Sequence, residues 1–313
     1  MPTGPDAELP MLIWVPTAEV AAGLDGLPGA DVQVVAPDGA PLPPSAGRVE
    51  FYVPPFFPGP PGIAAMGQMP RLAVVQALTA GVDRLLPGLP AGVTLCNARG
   101  VHDASTAEWV VAAMLAALRE FPLFAREQAA GRWNYHFTDC LAGKTVLIVG
   151  YGSIGAAVER RLAGFEVHVA RVARTGRPGV ATVSDLPGLL PGADVVVLLA
   201  PVTPETIGMA DAAFLARMKD GALLVNAARG SLLHTDALVA ELGQGRLRAA
   251  LDVTDPEPLP AGHPLWTMPG VFITPHEAAS TPVSVTRMIS HVRDQAERFL
   301  NGAPLLNVIS GTY

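Results

Sequence analysis

The chain has 313 residues, half of them apolar, with 28 acidic against 21 basic side chains and a net charge of −7. That length accommodates two domains with sizeable cores. The acidic balance argues against a nucleic-acid-binding or anionic-membrane surface. Two cysteines, Cys96 and Cys140, have no metal-ligand spacing and suggest no disulfide framework, as expected in a reducing cytoplasm. Residues 1–10 lack a basic n-region, and the apolar run that follows is only strand length. Neither a signal peptide nor a membrane span is expected.

In chain order, residues 11–15, 32–35, 49–53 and 72–76 read as short strands bounded by Gly or Pro, the makings of a small α/β unit. A long helix is predicted over 105–119, opened by Asp103 or Ser105 ahead of Glu108 and ended by Pro122. Trp109, Val110, Val111, Met114, Leu115 and Leu118 make it apolar nearly all round, as suits an interdomain or subunit interface. From Lys144 onward, strands at 145–149, 166–170, 195–200, 222–226, 249–253 and 271–274 are interspersed with helices at 154–163, 211–217 and 235–242. Such alternation predicts a parallel sheet covered on both faces. An amphipathic helix over 283–300 should return the chain to the first unit, because Leu305, Leu306, Val308 and Ile309 need a packing surface. The expected fold is α/β, with two Rossmann-like or flavodoxin-like doubly wound parallel-sheet domains. The second, 99–282, is inserted into a discontinuous first, 1–98 and 283–313.

The hexapeptide Gly150-Tyr151-Gly152-Ser153-Ile154-Gly155 sits between a buried-type strand and a helix-forming stretch. In that context the first glycine permits the tight turn, the second admits a pyrophosphate, and the third lets helix pack on strand. Phosphates would lie at the helix N-terminus, so the segment reads as a dinucleotide site. The carboxylate that would hold a ribose 2′-OH is missing after the second strand, where Ala170 and Arg171 stand, followed by Arg174 and Arg177. Guanidinium groups pair with a 2′-phosphate that a carboxylate would repel. NADP(H) is therefore expected in preference to NAD(H), which is still compatible.

Three polar residues follow strands in the second half: Arg229 after 222–226, Glu257 in the Pro-rich loop after 249–253, and His276 after 271–274. Each alone is an ordinary loop residue. In an open α/β sheet, however, ligands bind at the carboxyl ends of the strands, where all three lie. Beside a nicotinamide they make a set for hydride transfer to a 2-keto acid. Arg229 would hold the carboxylate and polarise the carbonyl. His276 would protonate the developing alkoxide, oriented and kept charged by Glu257.

At these residues the chain resembles the D-isomer-specific 2-hydroxyacid dehydrogenases. The likeness runs from Leu72 to the C-terminus and is densest over 144–282. It is carried by Ala200-Pro201-Val202-Thr203-Pro204-Glu205-Thr206, Leu224-Val225-Asn226-Ala227-Ala228-Arg229-Gly230, the stretch from Asp252 to Pro260, and Thr274-Pro275-His276. The resemblance implies that Arg229, Glu257 and His276 are catalytic. It implies cofactor contacts from Thr106, Ala200, Pro201, Ala228 and Asp252, with Thr106 and Asp252 near the nicotinamide. It also implies that the Ala80-Gly81 turn binds the substrate carboxylate through backbone N–H groups, and that a homodimer forms through the region 121–133. No metal is implied. The loop beginning Val53-Pro54-Pro55-Phe56-Phe57 is read either as facing the substrate or, for Phe56 and Phe57, as domain core; it lacks a basic residue, which leaves glyoxylate, hydroxypyruvate or a 2-keto acid with an apolar tail. Glu277 stands after His276 where the family usually has an apolar residue. The expected activity is NADPH-preferring glyoxylate/hydroxypyruvate-type reduction. The alternative is a corepressor-like, nucleotide-sensing binding protein on the same scaffold.

Overall fold

The computed structural model describes residues 9–310. The chain divides into two compact units, Met1–His102 with Pro282–Tyr313, and Asp103–Thr281. The first junction falls slightly later than the sequence pattern placed it, because the second unit opens directly on a helix beginning at Asp103.

The first unit contains strands β1 (Met11–Val15), β2 (Ala30–Val34), β3 (Val49–Tyr52), β4 (Val74–Gln76) and β5 (Thr94–Cys96), with helices α1 (Ala18–Gly23) and α2 (Pro60–Ala64). They make a parallel five-stranded sheet in the order β2-β1-β3-β4-β5. Every residue of β1 is buried, since a parallel strand covered on both faces needs apolar side chains in both directions. Ile13 and Val15 enter one core beside α1, and Leu12 and Trp14 enter another. Thr17 caps α1 by accepting from the Val20 N–H at 3.3 Å. The three-residue β5 is too short to carry a readable pattern and was not anticipated.

The second unit begins with α3 (Asp103–Leu118) and α4 (Phe121–Ala129). It continues through β6 (Thr145–Val149), α5 (Ser153–Leu162), β7 (His168–Ala173), β8 (Ala181–Thr182), α6 (Leu186–Leu189) and β9 (Val195–Leu198). It ends with α7 (Ala212–Arg217), β10 (Leu223–Asn226), α8 (Thr235–Gly243), β11 (Arg248–Leu251) and β12 (Val271–Ile273). Its seven strands lie in the order β12-β11-β10-β9-β6-β7-β8, all parallel. The order reverses between β6 and β9, the switch point at whose carboxyl side doubly wound folds bind ligands. One face of the sheet packs Ile148, Val197, Val225 and Ala250 against Val110, Met114 and Leu118 of α3 and Val158 of α5. At about 1.5–3 kcal/mol for each fully buried aliphatic side chain, this layer outweighs any single polar contact at the site it supports.

Two expectations are corrected here. Pro122 does not end the long helix; it sits in the first turn of α4, where its missing N–H costs nothing. The break comes at Glu120, whose φ of 54° lies in the left-handed region. The second strand of the unit also runs later than 166–170. Glu166 turns with φ 57°, β7 spans His168–Ala173, and Arg171 pairs with Ile148 inside the ladder.

Helix α9 (Pro282–Leu300) returns the chain to the first unit. There the buried Gln295 amide donates to Gln76 Oε1 at 2.8 Å and to the Leu306 carbonyl at 2.9 Å, and its Oε1 accepts from the Leu306 N–H at 2.8 Å. The tail continues onto β5 through an Ile309 N–H to Leu95 carbonyl bond of 2.8 Å. One buried amide thus ties strand, helix and tail together, because each of its polar atoms must find a partner away from water.

Candidate active site

At the β6 to α5 turn the glycines do separate work. Gly150 has φ 105°, and a Cβ there would lie 2.3 Å from the Ala200 N atom, so β6 and β9 can approach only with glycine. A Cβ on Gly155 would lie 2.9 Å from the Gly150 carbonyl, which is how α5 seats on the turn. A Cβ on Gly152 would meet nothing within 4 Å. The backbone there borders open space, and Gly152 is the N-cap of α5 with no side chain capping it. A pyrophosphate fits this cradle, facing the helix N-terminus begun by Ser153 and Ile154. Ser153 is oriented by its hydroxyl, which donates to Asp103 Oδ1 at 3.0 Å.

Other cofactor candidates lie in the same unit. Thr106 is buried on α3 and Ala200 is buried just past β9. The Pro201 carbonyl accepts from the Thr206 hydroxyl at 2.6 Å, closing the turn after β9. Arg171 does not follow its strand as expected. Its Nε donates to Glu159 Oε2 at 2.8 Å and its Nη2 to Glu159 Oε1, while the Tyr151 hydroxyl donates to the same carboxylate. Arg171, with the Tyr151 hydroxyl, holds the Glu159 carboxyl below the usual carboxylate range against a partial desolvation penalty. Arg174 is the residue that follows β7.

Three catalytic candidates stand at successive strand ends. At the end of β10, the buried Asn226 accepts the Ala228 N–H at 3.1 Å and donates to the Arg229 carbonyl at 2.9 Å. The Arg229 Nη1 donates to the Ala228 carbonyl at 2.7 Å. The next residue cannot carry a side chain, since a Cβ on Gly230 would lie 1.9 Å from the Thr254 carbonyl oxygen. The Arg229 loop is therefore pressed onto the loop that carries Glu257. That second loop is fixed by the Thr254 hydroxyl donating to the Pro256 carbonyl at 2.8 Å and by Thr235 donating to the Asp255 carbonyl at 2.7 Å.

His276 Nδ1 lies 2.8 Å from Glu257 Oε1, and both side chains are about a quarter exposed. The His276 backbone is left-handed at φ 55°. The buried Asp252 holds it there. Its Oδ1 accepts from the Thr274 hydroxyl at 2.6 Å and the Glu277 N–H at 2.8 Å, and its Oδ2 accepts from the Ala278 N–H at 3.0 Å. Its own carbonyl accepts the His276 N–H at 2.7 Å. The resemblance implies only a cofactor contact for Asp252, and Asn226 stands there only as part of a motif. Their anchoring roles depend on partners that no local pattern shows. Glu277 uses its N–H in this anchor.

The remaining candidates belong to the first unit. Val53 is buried, with its N–H bonded to the Trp14 carbonyl at 2.8 Å. In the turn after β4, Thr79 donates to the Gly81 carbonyl at 2.6 Å and Asn97 to the Ala80 carbonyl at 2.7 Å, so the Ala80-Gly81 turn is held in one shape. Phe56 packs against a core cluster while Phe57 is half exposed. Among the described residues, no group of three or more His, Cys, Asp or Glu is placed to hold a metal ion, and no helix is long and apolar enough to cross a membrane.

Residues 111–278, more than half of the chain, match the family described as "D-isomer specific 2-hydroxyacid dehydrogenase, NAD binding domain". A D-3-phosphoglycerate dehydrogenase of Archaeoglobus fulgidus is 33% identical over 251 residues, covering 77% of this chain and 47% of that protein. The chain thus spans about half the length of the phosphoglycerate dehydrogenases it matches. A glyoxylate reductase of Thermofilum pendens is 34% identical over 238 residues, 71% of this chain and 70% of that one. Among solved structures, an NADPH-dependent glyoxylate/hydroxypyruvate reductase of Sinorhizobium meliloti, in complex with NADP and sulfate, matches with a TM-score of 0.82. It is 31% identical, covering 96% of this chain and 98% of that one.

Proposed function

Because the chain belongs to the D-isomer-specific 2-hydroxyacid dehydrogenase family, we propose that it reduces small 2-keto acids of the glyoxylate/hydroxypyruvate type to D-2-hydroxy acids, with NADPH preferred to NADH. The observation that carries this reading is the Glu257–His276 pair at 2.8 Å, anchored by Asp252 beside the Arg229 loop. When bound, the nicotinamide supplies the hydride. The Arg229 fork holds the substrate carboxylate and polarises the carbonyl oxygen. His276 gives its proton to that oxygen as charge develops, and takes one from the hydroxyl in the reverse direction. Glu257 accepts from Nδ1, fixing the ring and leaving Nε2 for the substrate oxygen.

The NADPH preference is supported by the arginines around the end of β7 and by the cofactor in the Sinorhizobium meliloti relative. We assign the protein to the cytoplasm, in keeping with its two unpaired cysteines. A homodimer is proposed through α4 and the arm beyond it, where Trp133, Tyr135 and Phe137 are 95%, 77% and 92% exposed. Aromatic surface of that extent on one segment is covered in most soluble proteins.

The test is nicotinamide absorbance with glyoxylate, hydroxypyruvate and longer 2-keto acids, each with NADPH and NADH. The expected result is turnover of at least one small keto acid with higher kcat/KM for NADPH. Tight cofactor binding without turnover of any of them overturns the reductase in favour of a binding protein. Equal or better use of NADH overturns the cofactor assignment.

A further inference from the structure

We propose that Tyr151 and Glu159 are positioning residues for cofactor choice, setting Arg177 rather than Arg171 as a cation that meets a ribose 2′-phosphate. The proposal rests on the NADPH reading above. Arg171 carries the expected charge in the expected segment, but its fork is already closed. Nε and Nη2 go to the two oxygens of Glu159, and Nη1 goes to the Val169 carbonyl at 3.3 Å. A bidentate carboxylate partner satisfies the geometry that would otherwise grip a phosphate, and it cancels the positive charge locally.

Arg177 has the opposite arrangement. Its backbone closes a tight turn with Val180, through N–H to carbonyl bonds of 3.1 and 2.7 Å, with Gly179 at φ 76°. From that turn the exposed side chain reaches back to the glycine-rich loop, where Nη2 donates to the Tyr151 carbonyl at 2.9 Å. Its guanidinium carbon stands 5.4 Å from the Tyr151 ring centroid, and that of Arg171 stands 5.8 Å from the same ring. Tyr151 is thus a platform for both cations. Its hydroxyl is fixed on Glu159, which neutralises one of them and leaves the other as positive charge beside the cradle of Gly152. Arg174 follows β7 in the same segment; the Thr203 hydroxyl chiefly holds the Glu205 carboxyl below its usual range, and the charge of Arg174 adds a smaller part.

The probes are 2′,5′-ADP and 5′-AMP, titrated calorimetrically into the full chain. The unmodified protein should bind 2′,5′-ADP at least about tenfold more tightly than 5′-AMP, the scale of one charge-assisted contact. Arg177→Ala should remove most of that ratio and leave 5′-AMP binding unchanged, whereas removing the ion pair together, Arg171→Met with Glu159→Gln, should keep the ratio within about threefold. Tyr151→Leu, which loses the ring, should lower the ratio, and Tyr151→Phe, which keeps the ring but not the hydroxyl bond to Glu159, should fall between that variant and the unmodified protein. Retention of the full ratio by Arg177→Ala overturns the proposal while leaving the NADPH reading intact. A loss in that double variant as large as that in Arg177→Ala also overturns it. Absence of any preference in the unmodified protein overturns both. Arg177 is exposed, so its variant tests the proposal even where a change at Arg171 weakens the fold.

Discussion

Nδ1 of His276 and Oε1 of Glu257 stand 2.8 Å apart although the residues come from different strand ends, and each is held by its own loop. In the proposed mechanism the carboxylate orients the imidazole, so Glu257 acts through His276. Glu257→Gln should lower kcat by about tenfold or more, on the scale of a weakened general acid. Combined with His276→Ala it should cost nothing further, because the two act as a unit. Steady-state kinetics of the four proteins in that cycle check this; additive losses would mean that Glu257 has an independent role.

Arg229 is assigned to the carboxylate and carbonyl of the substrate. Arg229→Lys keeps the charge but loses the planar fork, and kcat/KM should fall by about 10²–10³-fold, the range for losing one preorganised donor at a developing oxyanion. Cofactor affinity, followed by fluorescence titration, should be unchanged. A kcat/KM within a few-fold of the unmodified enzyme would remove Arg229 from the site.

Two glycines should respond in opposite ways. Gly230→Ala forces a Cβ to within 1.9 Å of the Thr254 carbonyl, a backbone atom that cannot swing aside. It should cost about 1–3 kcal/mol or more and lower Tm. Gly152→Ala meets nothing within 4 Å, so Tm should be unchanged while dinucleotide affinity drops. Thermal melts and titrations on the two variants separate the packing role from the binding role.

Stability should depend on pH through His291. Burial pushes its imidazole below the ordinary value of 6.5, with a bond to the Asn97 carbonyl acting in the opposite direction. The unfolded chain therefore takes up a proton at a higher pH than the folded one. The contribution is complete above pH 6.5 and is lost as pH falls from there toward the folded value. His291→Gln should flatten the dependence of Tm on pH in that window, and an unchanged slope would exclude the residue as its source.

Much of this was legible in the chain. Val146 to Val149 followed by Gly150, Gly152 and Gly155 specifies strand, turn and helix by local rules, and the structure builds β6 and α5 there. Arg229, Glu257 and His276 were recognisable as candidates because each follows an apolar run that the structure builds as a strand, β10, β11 and β12 in turn. What escaped was set by distant partners. The N–H groups of Gly150 and Tyr151 both donate to the Val172 carbonyl and carry β7 past Arg171, a register that residue types alone do not encode. Arg171 then meets Glu159 from a helix, and Asp252 anchors residues more than twenty positions away. Such pairings have no period in the sequence.

If His276 is the acid of a keto-acid reductase, turnover by His276→Ala should reveal it when cofactor affinity is measured alongside. kcat should fall by about 10²–10⁴-fold with the dissociation constant for NADPH unchanged. A variant that turns over hydroxypyruvate at nearly the unmodified rate would contradict it.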